Sequence, residues 1–155
     1  MIIMTIKKGE KLNNFVLQDQ DENEVNLDDF KGKKVLLSFH PLAWTGVCTK
    51  QMKALDDNYD KFNENNTEPL GINVEPTPSK KAWAEDMELE KLRILSDFWP
   101  HGELAKELGV FLEENGFSGR VNILLDEDHK VVWVKEYDIP ELPDIDEVLE
   151  KAEKL

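Results

Sequence analysis

The one sulfur nucleophile this sequence can offer is Cys48, its single cysteine. Alone, it cannot close an internal disulfide, so it is either a small buried hydrophobe or a reactive thiol. Spacing tells where it sits. Cys48 precedes Met52 by four residues and Leu55 by seven, which puts it at the start of the inward stripe of an amphipathic helix. Before it runs Val35-Leu36-Leu37-Ser38-Phe39, a continuous apolar stretch that reads as a buried strand. Clefts in open α/β sheets gather at the carboxyl ends of strands, so the junction between strand and helix favours a site. The first turn of a helix exposes unpaired N–H groups and the positive end of its dipole, and both stabilise an anion. Thiols in such positions fall from a pKa of about 8.5 to roughly 3.5–7.5, and the thiolate is the form that attacks.

Charge is arranged in keeping with that chemistry. Against 19 Lys and Arg stand 33 Asp and Glu, a formal net charge of −14. Yet from Lys31 to Leu55 there is no carboxylate, while Lys31, Lys33, Lys34, Lys50 and Lys53 all fall within that window. So acidic a surface repels phosphate backbones and anionic lipid, which argues against nucleic-acid and membrane partners. No apolar run approaches the roughly 18 residues that span a bilayer. The opening Met1-Ile2-Ile3-Met4-Thr5-Ile6 has no basic start or small-residue cleavage site, so no export signal and a reducing cytoplasmic setting are expected. His40, His101 and His129 are scattered without metal-ligand spacing. No Gly-rich phosphate loop occurs either, and the expectation is a protein without metal or cofactor.

Around the cysteine, the sequence predicts one α/β domain over residues 1–155. Phe15-Val16-Leu17 and Glu24 to Leu27 flank a polar turn as an N-terminal β-hairpin. Met52, Leu55, Tyr59 and Phe62 extend the helix that Cys48 begins. Leu70 to Val74 is a second core strand, and Ser79 is the expected N-cap of a helix with Ala82, Trp83 and Met87. A strand at Arg93-Ile94-Leu95 precedes a helix with Leu104, Ala105 and Leu108 that Gly109 ends. Val121 to Leu125 and Val131 to Val134 form another hairpin, followed by a helix that Asp144 caps. Alternating strands and helices with a closing hairpin predict a central mixed sheet flanked by helices, a layout that suits a thioredoxin-like fold. Asp19 to Glu24 and Glu136 to Glu153 read as solvated faces, and His101 and His129 as ordinary polar turn residues. For His40, packing is expected.

Pro41, Thr45 and Cys48 stand in a Pro-x-x-x-Thr-x-x-Cys arrangement that resembles the active-site motif of peroxiredoxins. The similarity continues in Leu95-Ser96-Asp97-Phe98-Trp99-Pro100-His101-Gly102, which resembles the alkyl hydroperoxide reductase E and bacterioferritin comigratory groups. Gly119-Arg120-Val121, leading into a strand, is similar to the family's late arginine. Arg120 is one of two arginines in the chain, the other being Arg93. The resemblance implies that Cys48 is the peroxidatic nucleophile, with Thr45, Arg120 and Pro41 around it. Thr45 offers a hydroxyl to a peroxide oxygen. Arg120 offers a permanent charge and a fork of donors. Pro41, without an N–H, shapes the loop. Where relatives often carry Glu three residues after the cysteine, this chain has Gln51, and where many carry an aromatic before the proline it has His40.

With a single thiol, the implied cycle is of the one-cysteine kind: hydroperoxide substrate, sulfenic acid on Cys48, and reduction by an external thiol, from a thioredoxin-like protein or a small molecule. The resemblance further implies a homodimer, with Trp44 and Trp99 in segments near the pocket and dimer surface. A disulfide oxidoreductase fits poorly, since Thr45 stands where a Cys-x-x-Cys pair would need sulfur. The alternative from another class is a thioredoxin-fold chaperone or redox-sensing protein in which Cys48 is inert or regulatory.

Overall fold

The structure is a computed structural model and describes residues 6–154, so the opening stretch expected to carry no export signal lies, but for Ile6, outside the described residues. Among the described residues nine strands form: β1 Val16–Gln18, β2 Glu24–Asn26, β3 Lys34–Phe39, β4 Thr67–Asn73, β5 Arg93–Ser96, β6 Phe111–Leu112, β7 Phe117–Ser118, β8 Arg120–Leu125 and β9 Val131–Tyr137. Five α-helices join them, besides a 3-10 turn at Leu27–Phe30: α1 Gly46–Asp57, α2 Tyr59–Glu64, α3 Thr77–Asp86, α4 Glu103–Leu108 and α5 Ile145–Glu153. Seven strands make one mixed sheet in the order β2-β1-β5-β4-β3-β8-β9. Its centre, β3 to β5, is parallel, while β8 runs antiparallel beside β3 and β9 antiparallel beside β8. The N-terminal hairpin extends the same sheet through one antiparallel pairing, Gln18 with Ser96. The small β6–β7 hairpin went unnoticed in the sequence because two-residue strands carry no periodicity.

Side-chain alternation along these strands decides what meets what. Val35, Leu37 and Phe39 of β3, Leu70 and Ile72 of β4, and Val121, Ile123 and Leu125 of β8 share a core with Leu104, Ala105 and Leu108 of α4. On the opposite face, Leu36, Ile94 and Leu124 pack against Met52, Leu55, Phe62, Trp83, Val148 and Ala152 from α1, α2, α3 and α5. Burying each large aliphatic side chain contributes about 1.5–3 kcal/mol. By the same period of two, Ser38, Asn73, Arg120 and Asn122 fall on the α1 face. That alternation puts polar groups beneath the cysteine's helix.

Four expectations change. The helix expected to run through Phe62 breaks at Asn58, whose backbone N–H and side-chain amide both donate to the Ala54 carbonyl at 3.2 and 2.8 Å. Asn side chains compete in this way with regular helix bonding. Ser79 is not the N-cap of α3: Pro76 takes that position in extended backbone, and Pro78 sits in the first turn, where a missing N–H costs nothing. Asp19 is buried, because its Oδ1 accepts the N–H groups of Asp21 and Asn23 at 2.9 and 3.0 Å and so forms the hairpin's turn. His129 is buried too, with Nε2 3.0 Å from the Phe30 carbonyl.

Candidate active site

Cys48 is the third residue of α1 and only 1% exposed. Thr45 is the helix's N-cap residue, in extended backbone. Its carbonyl accepts from the Thr49 N–H at 2.9 Å and the Thr49 hydroxyl at 2.8 Å, so the first turn is closed tightly around the sulfur's backbone. The Thr45 hydroxyl itself donates to the Leu42 carbonyl at 3.0 Å and lies exposed. Pro41 is buried, two residues past the end of β3.

Arg120, at the start of β8 and almost wholly buried, reaches across the sheet to this turn. Its Nη1 donates to Cys48 Sγ at 3.3 Å and to Gln51 Oε1 at 2.6 Å. Its Nε and Nη2 bracket the Ile139 carbonyl at 2.9 and 2.7 Å. Gln51 is oriented in turn by Ser38, since its Nε2 donates to the Ser38 hydroxyl at 2.8 Å. With its oxygen on Arg120 and its amide on Ser38, the neutral Gln51 satisfies both neighbours. A buried guanidinium needs such partners, because leaving it unpaired costs several kcal/mol (on the order of 3–5).

The window free of carboxylates does not stay so in three dimensions. Glu75, just past β4, places its carboxylate on the Ala43 N–H in the motif loop. Nor do three of the window's lysines serve as the cysteine's cations: Lys33 bonds Glu68, Lys34 the Ala152 carbonyl and Lys53 the Met87 carbonyl. Positive charge reaches the sulfur from Arg120, a residue 72 positions away.

His40 both packs and bonds. Its ring lies tilted over Trp83 at 5.5 Å between centroids, with Nε2 2.9 Å from the Asn73 amide and Nδ1 3.3 Å from the Ser38 carbonyl. Burial, helped by nearby Lys80 and Arg120, pushes its pKa down to about 3. Lys80 is fully buried, and burial pushes it down to about 7 against the pull of Glu75 and Asp97. Lys80 lies on the inward stripe of α3 with Trp83 and Ala84, an unusual place for a lysine that the sequence displayed and periodicity alone passed over. Ile139 takes part through its backbone, which no residue type announces. Trp83 is core and gives its indole N–H to Thr49 at 3.2 Å, whereas Trp44 and Trp99 are 52% and 82% exposed.

Among the described residues no group of three or more His, Cys, Asp and Glu is placed to hold a metal ion, and no helix is long and apolar enough to cross a membrane. A basic donor against a lone thiol at a helix start can hold a thiolate and a developing oxyanion together. The family model described as AhpC/TSA matches residues 8–134. Alkyl hydroperoxide reductase E of Mycobacterium tuberculosis is 39% identical over 113 residues, covering 72% of this chain and 73% of that one. Peroxiredoxin Bcp of Escherichia coli is 35% identical over 136 residues, covering 83% and 85%. The crystal structure of reduced 2-Cys peroxiredoxin from Plasmodium vivax superposes with a TM-score of 0.86 at 29% identity, covering 94% of this chain and 79% of that one. The chain therefore belongs to the AhpC/TSA family, and is a peroxiredoxin thiol peroxidase with a single cysteine.

Proposed function

We propose that residues 1–155 act as one peroxidase domain in which Cys48 reduces hydrogen peroxide or alkyl hydroperoxides and is regenerated by an external thiol. The thiolate attacks the terminal peroxide oxygen, the O–O bond breaks, and Cys48 becomes a sulfenic acid. The departing oxygen takes a proton and leaves as water or an alcohol. One external thiol then condenses with the sulfenic acid, releasing water and forming a mixed disulfide; a second thiol displaces Cys48 and carries away the disulfide. Because the chain has no second cysteine, no internal thiol can resolve the sulfenic acid.

The observation that carries this reading is the 3.3 Å contact of the Arg120 guanidinium with Cys48 Sγ at the head of α1. A cation there favours the ionised sulfur and meets the charge that develops on the leaving oxygen. Thr45 supports the reading as an exposed hydroxyl at the head of α1, three residues before Cys48, and Pro41 as the residue that closes the loop without adding an N–H. A homodimer is part of the proposal, supported by the exposed aromatic surface of Trp44, Phe98 and Trp99. A reducing compartment such as the cytoplasm would supply the thiol donor.

Stopped-flow oxidation with a panel of peroxides, with the sulfenic acid trapped by a dione probe, tests the cycle. Rapid, stoichiometric trapping in the native chain and none in Cys48→Ser is expected. Slow oxidation of Cys48, at the rate of a free thiol, would return the protein to a binding or sensing role.

A further inference from the structure

Behind the motif loop lies a buried polar hub that the peroxide chemistry leaves unused. Its centre is Asn73, the last residue of β4. The Lys80 ammonium faces three oxygens: the Asn73 carbonyl at 3.2 Å, the Glu75 carbonyl at 2.7 Å and Asn73 Oδ1. An ammonium has three N–H groups, so each is matched. The Glu75 N–H also donates to Asn73 Oδ1, at 3.0 Å. With its oxygen so occupied, Asn73 must turn its NH2 to His40 Nε2, 2.9 Å away. His40 then accepts on Nε2 and keeps its proton on Nδ1, toward the Ser38 carbonyl. Meanwhile the Glu75 carboxylate accepts from the Ala43 N–H and from the Ser79 hydroxyl at 2.9 Å. The loop that leads to Thr45 and Cys48 is thus gripped at His40 and at Ala43.

We propose that Lys80 is a positioning residue for Cys48: its ammonium locks Asn73 in the orientation that grips His40, and loss of its proton releases that grip. The inference rests on Cys48 being the reacting thiol. A neutral amine brings two N–H groups and a lone pair to three oxygens, so one contact turns repulsive. Rotation of the Asn73 amide relieves it. The NH2 then meets the lysine lone pair, Oδ1 faces His40, and His40 must move its proton to Nε2 and give up Ser38. The Glu75 N–H loses its acceptor in the same motion. Lysine, amide and imidazole therefore share two discrete arrangements, the kind of bistable element that can shift a loop. The charged groups facing Lys80 are Glu75 and Asp97, which favour the ammonium, and His40, which does not carry charge at neutral pH. Burial outweighs both carboxylates and brings the lysine to about 7, so the two arrangements exchange near neutrality.

The test compares the full chain with Lys80→Met by stopped-flow oxidation of Cys48 with hydrogen peroxide on both sides of neutrality. Below neutrality the variant should react about 10-fold more slowly, since small misplacements of reacting groups carry penalties of that order or more. It should also lack a break in the rate profile that the native chain shows near neutral pH. Superimposable profiles would overturn the proposal. Should Lys80→Met fail to fold, 15N-histidine NMR on the native chain decides: His40 should carry its proton on Nδ1 below neutrality and on Nε2 above, and an unchanged tautomer overturns the proposal. Cys48→Ser separates the two readings. A variant that still consumes peroxide removes Cys48 as the reacting thiol while leaving the His40 tautomer signal as it was.

Discussion

Arg120 divides one guanidinium among three partners: Nη1 serves Cys48 and Gln51, while Nε and Nη2 hold the Ile139 carbonyl. A lysine would keep the charge but cannot span three partners in a plane. Arg120→Lys should therefore lower the rate constant for peroxide by about 100- to 1,000-fold, the order seen when one donor to a developing oxyanion is removed. Stopped-flow measurement at saturating thiol would read it, and a rate within about threefold of native would remove the fork from catalysis. Gln51 acts in stability as well. Gln51→Leu leaves a buried guanidinium N–H and the Ser38 hydroxyl without partners, a loss of about 1–3 kcal/mol for each orphaned group. Urea unfolding of the variant measures this directly.

At the scale of elements, the site depends on how closely α1 lies on the sheet. Gly71 of β4 faces that helix, and a Cβ added there would come within 2.4 Å of the Met52 sulfur. Met52 is one turn past Cys48 on the same inward stripe. Gly71→Val should therefore push α1 off the sheet, at about 1–3 kcal/mol in stability. Because Arg120 stays on β8 while Cys48 moves with α1, peroxidase rate should fall further than stability alone accounts for. Parallel urea melts and rate measurements check both, and a native rate in a destabilised variant would show that the helix had not moved. The hairpin, in contrast, is fastened by Gln20, whose amide bonds the Leu92 carbonyl and the Ile94 N–H of the β5 region at 2.9 Å each, well away from the sulfur.

For the molecule as a whole, two buried bases shape the response to pH. Folded His40 refuses a proton that the unfolded chain accepts below pH 6.5, so stability falls as pH drops from 6.5 toward about 3. That one group gives a slope of about 1.4 kcal/mol per pH unit. His40→Phe should flatten the acid side of the stability profile, measured by urea midpoints at several pH values, even if the variant is less stable at neutrality. An unchanged acid slope would mean that His40 takes up its proton in the folded state. Lys80 works in the alkaline range: the unfolded chain holds its proton up to about 10.5 and the folded chain releases it near 7, so stability rises between those values.

The place of Cys48 was legible in one dimension because helical and strand periods expose it, while its chemistry came from the motif's resemblance to peroxiredoxins. The four-residue step from Cys48 to Met52 marks the head of an inward stripe, and the order of strands and helices matches the sheet that forms. Thr45 and Pro41 lie in the same local stretch, and their roles are what the resemblance implies. What tertiary structure alone decided is everything that arrives from far along the chain. Lys33 and Lys34 of the stretch without acids turn to other partners, and the cation comes from β8. Glu75 enters a stretch that contains no acid, Ile139 contributes a carbonyl, and Lys80 is buried among oxygens supplied by β4 and the residues after it. Periodicity gives the face on which a side chain lies, but distance across a sheet depends on strand order and register, which are fixed when many long-range contacts form at once.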